Sequence, residues 1–195
     1  MKLSFPSTLP FAHIAVVVLS AASAAVSLSA AEPLPRPSPE FVLNMNGGKQ
    51  ELLSSHRGKV CLVEFLFTTC PHCQHTAQML SKLQGEYGPR GFQAIGVAFN
   101  EMSSMLLPDF VTTYGVKFPA AWAQRDQVLS FLHISPMERF VVPQIVLIDR
   151  KGQIRAQSQP LGDPKLQDEA NLRVLIEGLL KETGSGAATG AAKKK

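Results

Sequence analysis

A chain of 195 residues, 45% of them hydrophobic and 17% charged, is long enough for one globular domain with its own core, and no internal repeat divides it. The formal net charge of +4 rests on Lys2 and the terminal run Lys193, Lys194 and Lys195; without these four it is zero, which leaves no basic field to attract nucleic acid or an acidic substrate. Three cysteines, an odd number with two of them three positions apart, are too few for a disulfide-stapled scaffold and point to chemistry instead.

Residues 1–31 have the layout of a secretory signal peptide: Lys2, an apolar stretch at 14–19, then small residues through Ala31. Ala22-Ser23-Ala24 and Ser29-Ala30-Ala31 both have the small-residue spacing of a cleavage site. The alternative is an uncleaved N-terminal anchor, because residues 11–31 are long enough to span a bilayer, although Ala and Ser make them weakly apolar. No cysteine lies near the small residues, which excludes a lipoprotein anchor. Either way the expected location is periplasmic or extracytoplasmic, with membrane anchoring in the second case.

Pro33, Pro35, Pro37 and Pro39 make residues 32–40 read as a stiff, extended linker. The domain proper is expected over 41–182. Residues 41–43, Gly47-Gly48 and 51–53 read as a short β-hairpin. Residues 60–67 are a nearly unbroken apolar run, as in a central strand covered on both faces. A helix is expected over 70–87, with Thr76, Leu80, Leu83 and Tyr87 on one stripe and Gly88-Pro89 as its stop. A strand over 92–99 completes a parallel β-α-β unit. Short helices are expected at 109–114 and 127–133, and a third apolar strand at 141–149. A turn at Arg150-Lys151-Gly152 leads into an antiparallel strand at 154–158. Asp163-Pro164 reads as the cap of a final helix with Leu172, Leu175, Ile176 and Leu179 on its apolar stripe. Residues 183–195, rich in Gly and Ala and ending in lysines, are expected to be disordered.

The chemistry concentrates in Thr68-Thr69-Cys70-Pro71-His72-Cys73, where an apolar strand meets an amphipathic helix. Cys70 falls at the helix N-terminus, where unsatisfied N–H groups and the helix dipole favour a thiolate. Cys73 lies one turn further in, able to close a disulfide but shielded. Pro71 removes an N–H that would have no partner. Cys70 is therefore expected to attack and Cys73 to resolve. Glu64 is the other anomaly: a carboxylate inside an apolar strand must be neutral, paired or functional, or else be a water-satisfied acid at a strand end. Cys61 reads as a small apolar core residue. His72 and His75 read as solvent-facing neighbours, with His72 adding positive character beside Cys70 when protonated. His56 and His133 have no partner that the sequence identifies.

These stretches, with Gly58-Lys59, Phe118-Pro119 and Val142-Pro143-Gln144-Ile145-Val146-Leu147-Ile148-Asp149, resemble the thioredoxin superfamily and in particular TlpA/ResA-like periplasmic thiol–disulfide oxidoreductases. The Pro71-His72 pair resembles instead the DsbA oxidases. The resemblance implies an α/β thioredoxin fold, a central mixed β-sheet flanked by helices with an N-terminal β-hairpin extension. It implies no cofactor beyond a redox-active Cys70–Cys73 disulfide, no metal, and as partners protein thiols or disulfides and a redox partner protein. It also implies that Glu64, six residues before Cys70, is a buried acid that moves the proton of Cys73. A proline opening a strand is structurally ordinary, but Pro143 matches the family's cis-proline, which faces the dithiol while Val142 pairs with substrate backbone. The tryptophan usual before the first cysteine is replaced by Thr69, so the docking surface there is altered.

Two rival functions are weighed. A peroxiredoxin-like thiol peroxidase, an antioxidant, would need Pro-x-x-x-Thr/Ser-x-x-Cys, but Val63 and Phe67 occupy those positions. A copper chaperone would use Cys70, Cys73 and a histidine. On direction, Pro71 and His72 favour the thiolate and hence a more oxidising couple, whereas TlpA/ResA-like proteins commonly act as reductants.

Overall fold

The computed structural model describes Met1, Lys2 and residues 33–182; the apolar stretch and cleavage sites of the expected leader, and the expected tail 183–195, lie outside the described residues. In chain order the described residues form β1 (Arg36–Pro37), β2 (Val42–Met45), β3 (Gln50–Leu52), β4 (Val60–Leu66), α1 (Pro71–Tyr87) and β5 (Phe92–Ala98). There follow α2 (Ser103–Thr113), β6 (Ala120–Trp122), α3 (Arg125–Leu132), β7 (Gln144–Ile148), β8 (Gln153–Gln157) and α4 (Glu169–Lys181). The strands make one mixed sheet in the order β1-β8-β7-β4-β5-β6-β2-β3. β4 pairs with β5 in parallel and with β7 antiparallel, so the strand leading to the cysteines is central and buried at every position.

Strand side chains alternate between faces. Val60, Leu62 and Leu66 of β4 pack with Cys73, Ala77, Leu80 and Leu83 of α1 and with residues of α2 and α4. Cys61, Val63 and Phe65 pack on the other face with Val128, Phe131 and Leu132 of α3 and with Phe41 and Leu43. Glu64, in phase with Leu62 and Leu66, therefore shares its face with Cys73.

The β2–β3 hairpin forms in the register Val42↔Leu52, and β2 also pairs with β6, so the hairpin extends the sheet edge. Its turn uses Gly47 and Gly48 at φ 77° and 80°, a left-handed conformation that glycine adopts without a Cβ penalty. The segment read as a linker is partly built into the sheet: Arg36 pairs with Ile154, and its buried guanidinium donates to Gln157 Oε1 (2.7 Å) and the Phe131 carbonyl (3.3 Å). A proline-interrupted segment can still serve as an edge strand, where one side needs no ladder bonds.

Further boundaries differ from the sequence expectation, among them α3, which begins at Arg125 and not 127. α2 begins at Ser103, not 109, and runs through Pro108. The ring removes the bond to the Ser104 carbonyl, but both residues are exposed, so water can take that carbonyl. Asp163-Pro164 opens a short 3-10 turn (Pro164–Gln167); the cap of α4 is Asp168, which accepts from the Asn171 N–H at 2.9 Å. β7 starts at Gln144 because Pro143 has no N–H for the ladder, and the Val141 N–H goes to the Pro160 carbonyl (2.9 Å).

Candidate active site

β4 ends at Leu66, and the chain reaches α1 through Phe67, Thr68 and Thr69. The Cys70 N–H donates to the Phe67 carbonyl (3.1 Å), and the Gln74 N–H donates to the Cys70 carbonyl (3.0 Å), so Cys70 is the N-cap of α1 and Pro71 its first residue. The loop is gripped at Thr68 from two elements. The Thr68 N–H donates to Asn100 Oδ1 (2.9 Å), Asn100 Nδ2 donates to Thr68 Oγ1 (3.1 Å), and Gln74 Nε2 donates to the Thr68 carbonyl (3.0 Å). Asn100 follows β5, at the carboxyl ends of parallel strands where ligands gather in α/β sheets; that position was the available signal, and the sequence reading did not use it.

The two thiols of the pair differ in environment. Cys70 is half-buried, Cys73 fully so, and both are free thiols. Burial pushes the Cys73 thiol up; a hydrogen bond with the Phe67 backbone opposes this, and Glu64 and Cys70 add to it. Glu64 is completely buried, and neither carboxyl oxygen has a hydrogen-bond partner. Burial first, then the nearby Cys70, raise its carboxyl well above the usual carboxylate range. Two proton-holding groups thus lie on one face of β4 beneath the half-buried sulfur.

Opposite them is the loop before β7. The Val142–Pro143 peptide is cis, Pro143 is buried, and the Val142 carbonyl lies 3.9 Å from Cys70 Sγ. Thr69, Pro71, His72 and His75 are exposed. Among the described residues no group of three or more His, Cys, Asp and Glu side chains is placed to hold a metal ion. Cys61 is buried near the far end of β4, roughly 17 Å from the Leu66 end at a strand rise of about 3.3 Å per residue. Burial pushes its thiol up to about 12. His56 Nε2 lies 3.7 Å from Glu51 Oε2, and His133 closes α3 at φ 57°. Limiting alkylation of the reduced protein at mildly acidic pH should therefore label Cys70 before Cys73 and Cys61. Peptide mapping checks the order, and label first on either buried thiol would contradict this ranking.

A groove of about 530 Å³ is lined by Phe67, three residues before Cys70, and by Phe99, Asn100, Trp122 and Arg125. A second concavity of about 330 Å³ shares Phe67 and Arg125 and reaches Phe140 and Val142. Phe99 packs edge-on against Phe67 and stacks on Phe140, and the Arg125 guanidinium covers the Phe140 ring. Phe67 lines both concavities, and Val142, whose carbonyl faces the Cys70 sulfur, lines the second.

A family model described as AhpC/TSA family matches residues 35–157. The chain belongs to the AhpC/TSA family. The matched AhpC/TSA region begins beside β1 and ends with β8, so it contains Glu64, Cys70, Cys73 and Pro143, while α4 lies beyond it. The chain is 28% identical over 117 residues to "Thiol-disulfide oxidoreductase ResA" of Geobacillus kaustophilus, covering 60% of this chain and 64% of that protein. It is 32% identical over 114 residues to the protein of the same name from Halalkalibacterium halodurans, covering 58% and 61%. The chain thus spans less than two thirds of the length of these relatives. Among solved structures it is similar to a putative thiol:disulfide interchange protein DsbE from Chlorobium tepidum, with TM-score 0.62 and 24% identity over 75% of this chain and 96% of that one. A hypothetical protein from Sinorhizobium meliloti 1021 is similar at TM-score 0.63 and 23% identity, over 80% and 88%. With the sheet order above, these likenesses show a thioredoxin-like fold, a mixed sheet with flanking helices.

Proposed function

We propose that this chain is a thiol–disulfide oxidoreductase that exchanges disulfides with polypeptides through Cys70 and Cys73. The observation that carries this reading is the unequal thiol pair at the start of α1: one sulfur half-buried beside the Val142 carbonyl, the other one helical turn below and fully buried. The Cys70 thiolate attacks one sulfur of a substrate disulfide. A Cys70–substrate bond forms, the substrate S–S bond breaks, and the leaving thiolate takes a proton from solvent. Cys73 then passes its proton to one oxygen of the neutral Glu64 carboxyl as the proton already held there moves on to the departing substrate sulfur, so Glu64 acts as a relay. Cys73 attacks the Cys70 sulfur, the Cys70–Cys73 disulfide forms, and the second substrate sulfur departs. Two electrons pass from the dithiol to the substrate, and the same steps in reverse oxidise a substrate dithiol.

Val142 and Thr69 flank Cys70 and would contact substrate, with Pro143 packed behind Val142. Phe67 and Val63 stand where a thiol peroxidase needs a hydroxyl residue and a proline, which favours exchange over peroxide reduction. The exposed His72 and His75 give the copper reading little support. The leader expected over 1–31, a signal peptide or an N-terminal anchor, supports a periplasmic or other extracytoplasmic location, with protein thiols and a redox protein as partners. No helix among the described residues is long and apolar enough to cross a membrane.

Equilibration with glutathione redox buffers tests the proposal. A single two-electron transition of Cys70 and Cys73 is expected, with a midpoint more oxidising than the about −270 mV of thioredoxin, from the resemblance of the Pro71-His72 pair to the DsbA oxidases. Absence of any such transition would overturn the dithiol reading. A midpoint as low as thioredoxin's would leave the dithiol standing and reverse the direction argued from Pro71 and His72.

A further inference from the structure

Gln144 is fully buried, yet its side chain is spent on loops rather than on the core. Its Nε2 donates to the Val141 carbonyl (2.7 Å) and lies within reach of the Pro160 (3.1 Å) and Gln159 (3.2 Å) carbonyls. Three acceptors around one end of the amide identify that end as the NH2 group. The Pro160 carbonyl also accepts the Val141 N–H (2.9 Å), so the loop leading to Val142 and the loop after β8 are tied twice. The other end, Oε1, is buried with no partner. A buried acceptor without a donor is destabilising, so an apolar residue of the same length would suit the packing better. What the amide supplies is the cross-loop tie, one residue away from the Val142 carbonyl that faces Cys70 Sγ.

We propose that Gln144 is a positioning residue that holds the Val141–Val142 backbone in the form a polypeptide disulfide aligns with, and so favours polypeptide over small disulfides. This rests on the reading of Cys70 and Cys73 as the exchange dithiol. A small disulfide reaches the half-exposed Cys70 sulfur without lying along any backbone. A peptide must lie along Val142 to bring its sulfur in line. Loosening the tie therefore costs the peptide and spares the small molecule.

The test compares stopped-flow exchange of the reduced protein with a disulfide-bonded peptide and with hydroxyethyl disulfide. Gln144→Met should slow the peptide reaction about tenfold, the equivalent of roughly one net hydrogen bond, and leave the hydroxyethyl disulfide rate unchanged. Gln144→Glu, neutral when buried and still able to donate once, should lose less. Equal losses with both disulfides, or no loss, would overturn the positioning role. Wild-type protein that exchanges with neither would overturn the proposed function instead. Should the variants not fold, hydrogen exchange of the wild-type Gln144 side-chain amide decides: slow exchange supports the tie, and fast exchange refutes it.

Discussion

Cys70→Ala should lower disulfide exchange on the order of a thousandfold or more, whereas Cys73→Ala should leave the first attack intact and accumulate a mixed disulfide on Cys70. The difference follows from where the sulfurs sit. Cys70 is the half-exposed sulfur, so without it both remaining thiols are buried. Cys73 is fully buried one turn below and can reach only the Cys70 sulfur, so its loss removes resolution. Cys61 cannot replace either, being buried on the opposite face of β4 toward its far end, with its thiol pushed up to about 12. Mass spectrometry of the product and single-turnover kinetics separate the cases. Rapid turnover by Cys70→Ala, or a mixed disulfide mapped to Cys61, would contradict this assignment.

Glu64→Gln should have opposite effects on stability and on chemistry. The folded protein holds the Glu64 proton well above the pH at which the unfolded chain, with a model value of 4.5, releases it. Below that value both states are protonated and the group contributes nothing. Above it the unfolded state has lost a proton the native state retains, so stability falls as pH rises, by about 1.4 kcal/mol per unit until the folded group ionises. The raised thiols of Cys73 and Cys61 act with the same sign only at higher pH, above the range compared. Gln144-type amides cannot ionise, and neither can a glutamine at position 64, so the variant should be the more stable protein at neutral and alkaline pH and show no such slope. Urea unfolding between about pH 4 and 8 measures it. The same variant should resolve mixed disulfides more slowly, because Cys73 loses its proton acceptor. Parallel stability curves would show that Glu64 is not held neutral, and unchanged resolution would confine it to a structural part.

The parts legible in the sequence were those whose physics is local. The unbroken apolar runs of β4 and β5 and the stripe of α1 report burial by their own periodicity, and Cys70 and Cys73 lie on one helical turn whatever surrounds them. Glu64 stood out for the same reason, as one charge against an apolar background. What the sequence did not disclose depends on partners far along the chain. β1 exists because Arg36 meets Ile154, and three residues of β6 count as a strand only because β5 and β2 flank them. Asn100 is an ordinary polar residue until the parallel crossover brings it to Thr68, and Gln144 is a polar residue in an apolar strand until the loop at Gln159 and Pro160 folds over it. The sequence by itself determined the central β-α-β unit and singled out the proposed reactive pair, because hydrophobic periodicity and helix-terminus chemistry act over a few residues. Only the tertiary structure decided what holds Cys70 against Val142, because a hydrogen bond is specified by two groups in space and the chain encodes them far apart.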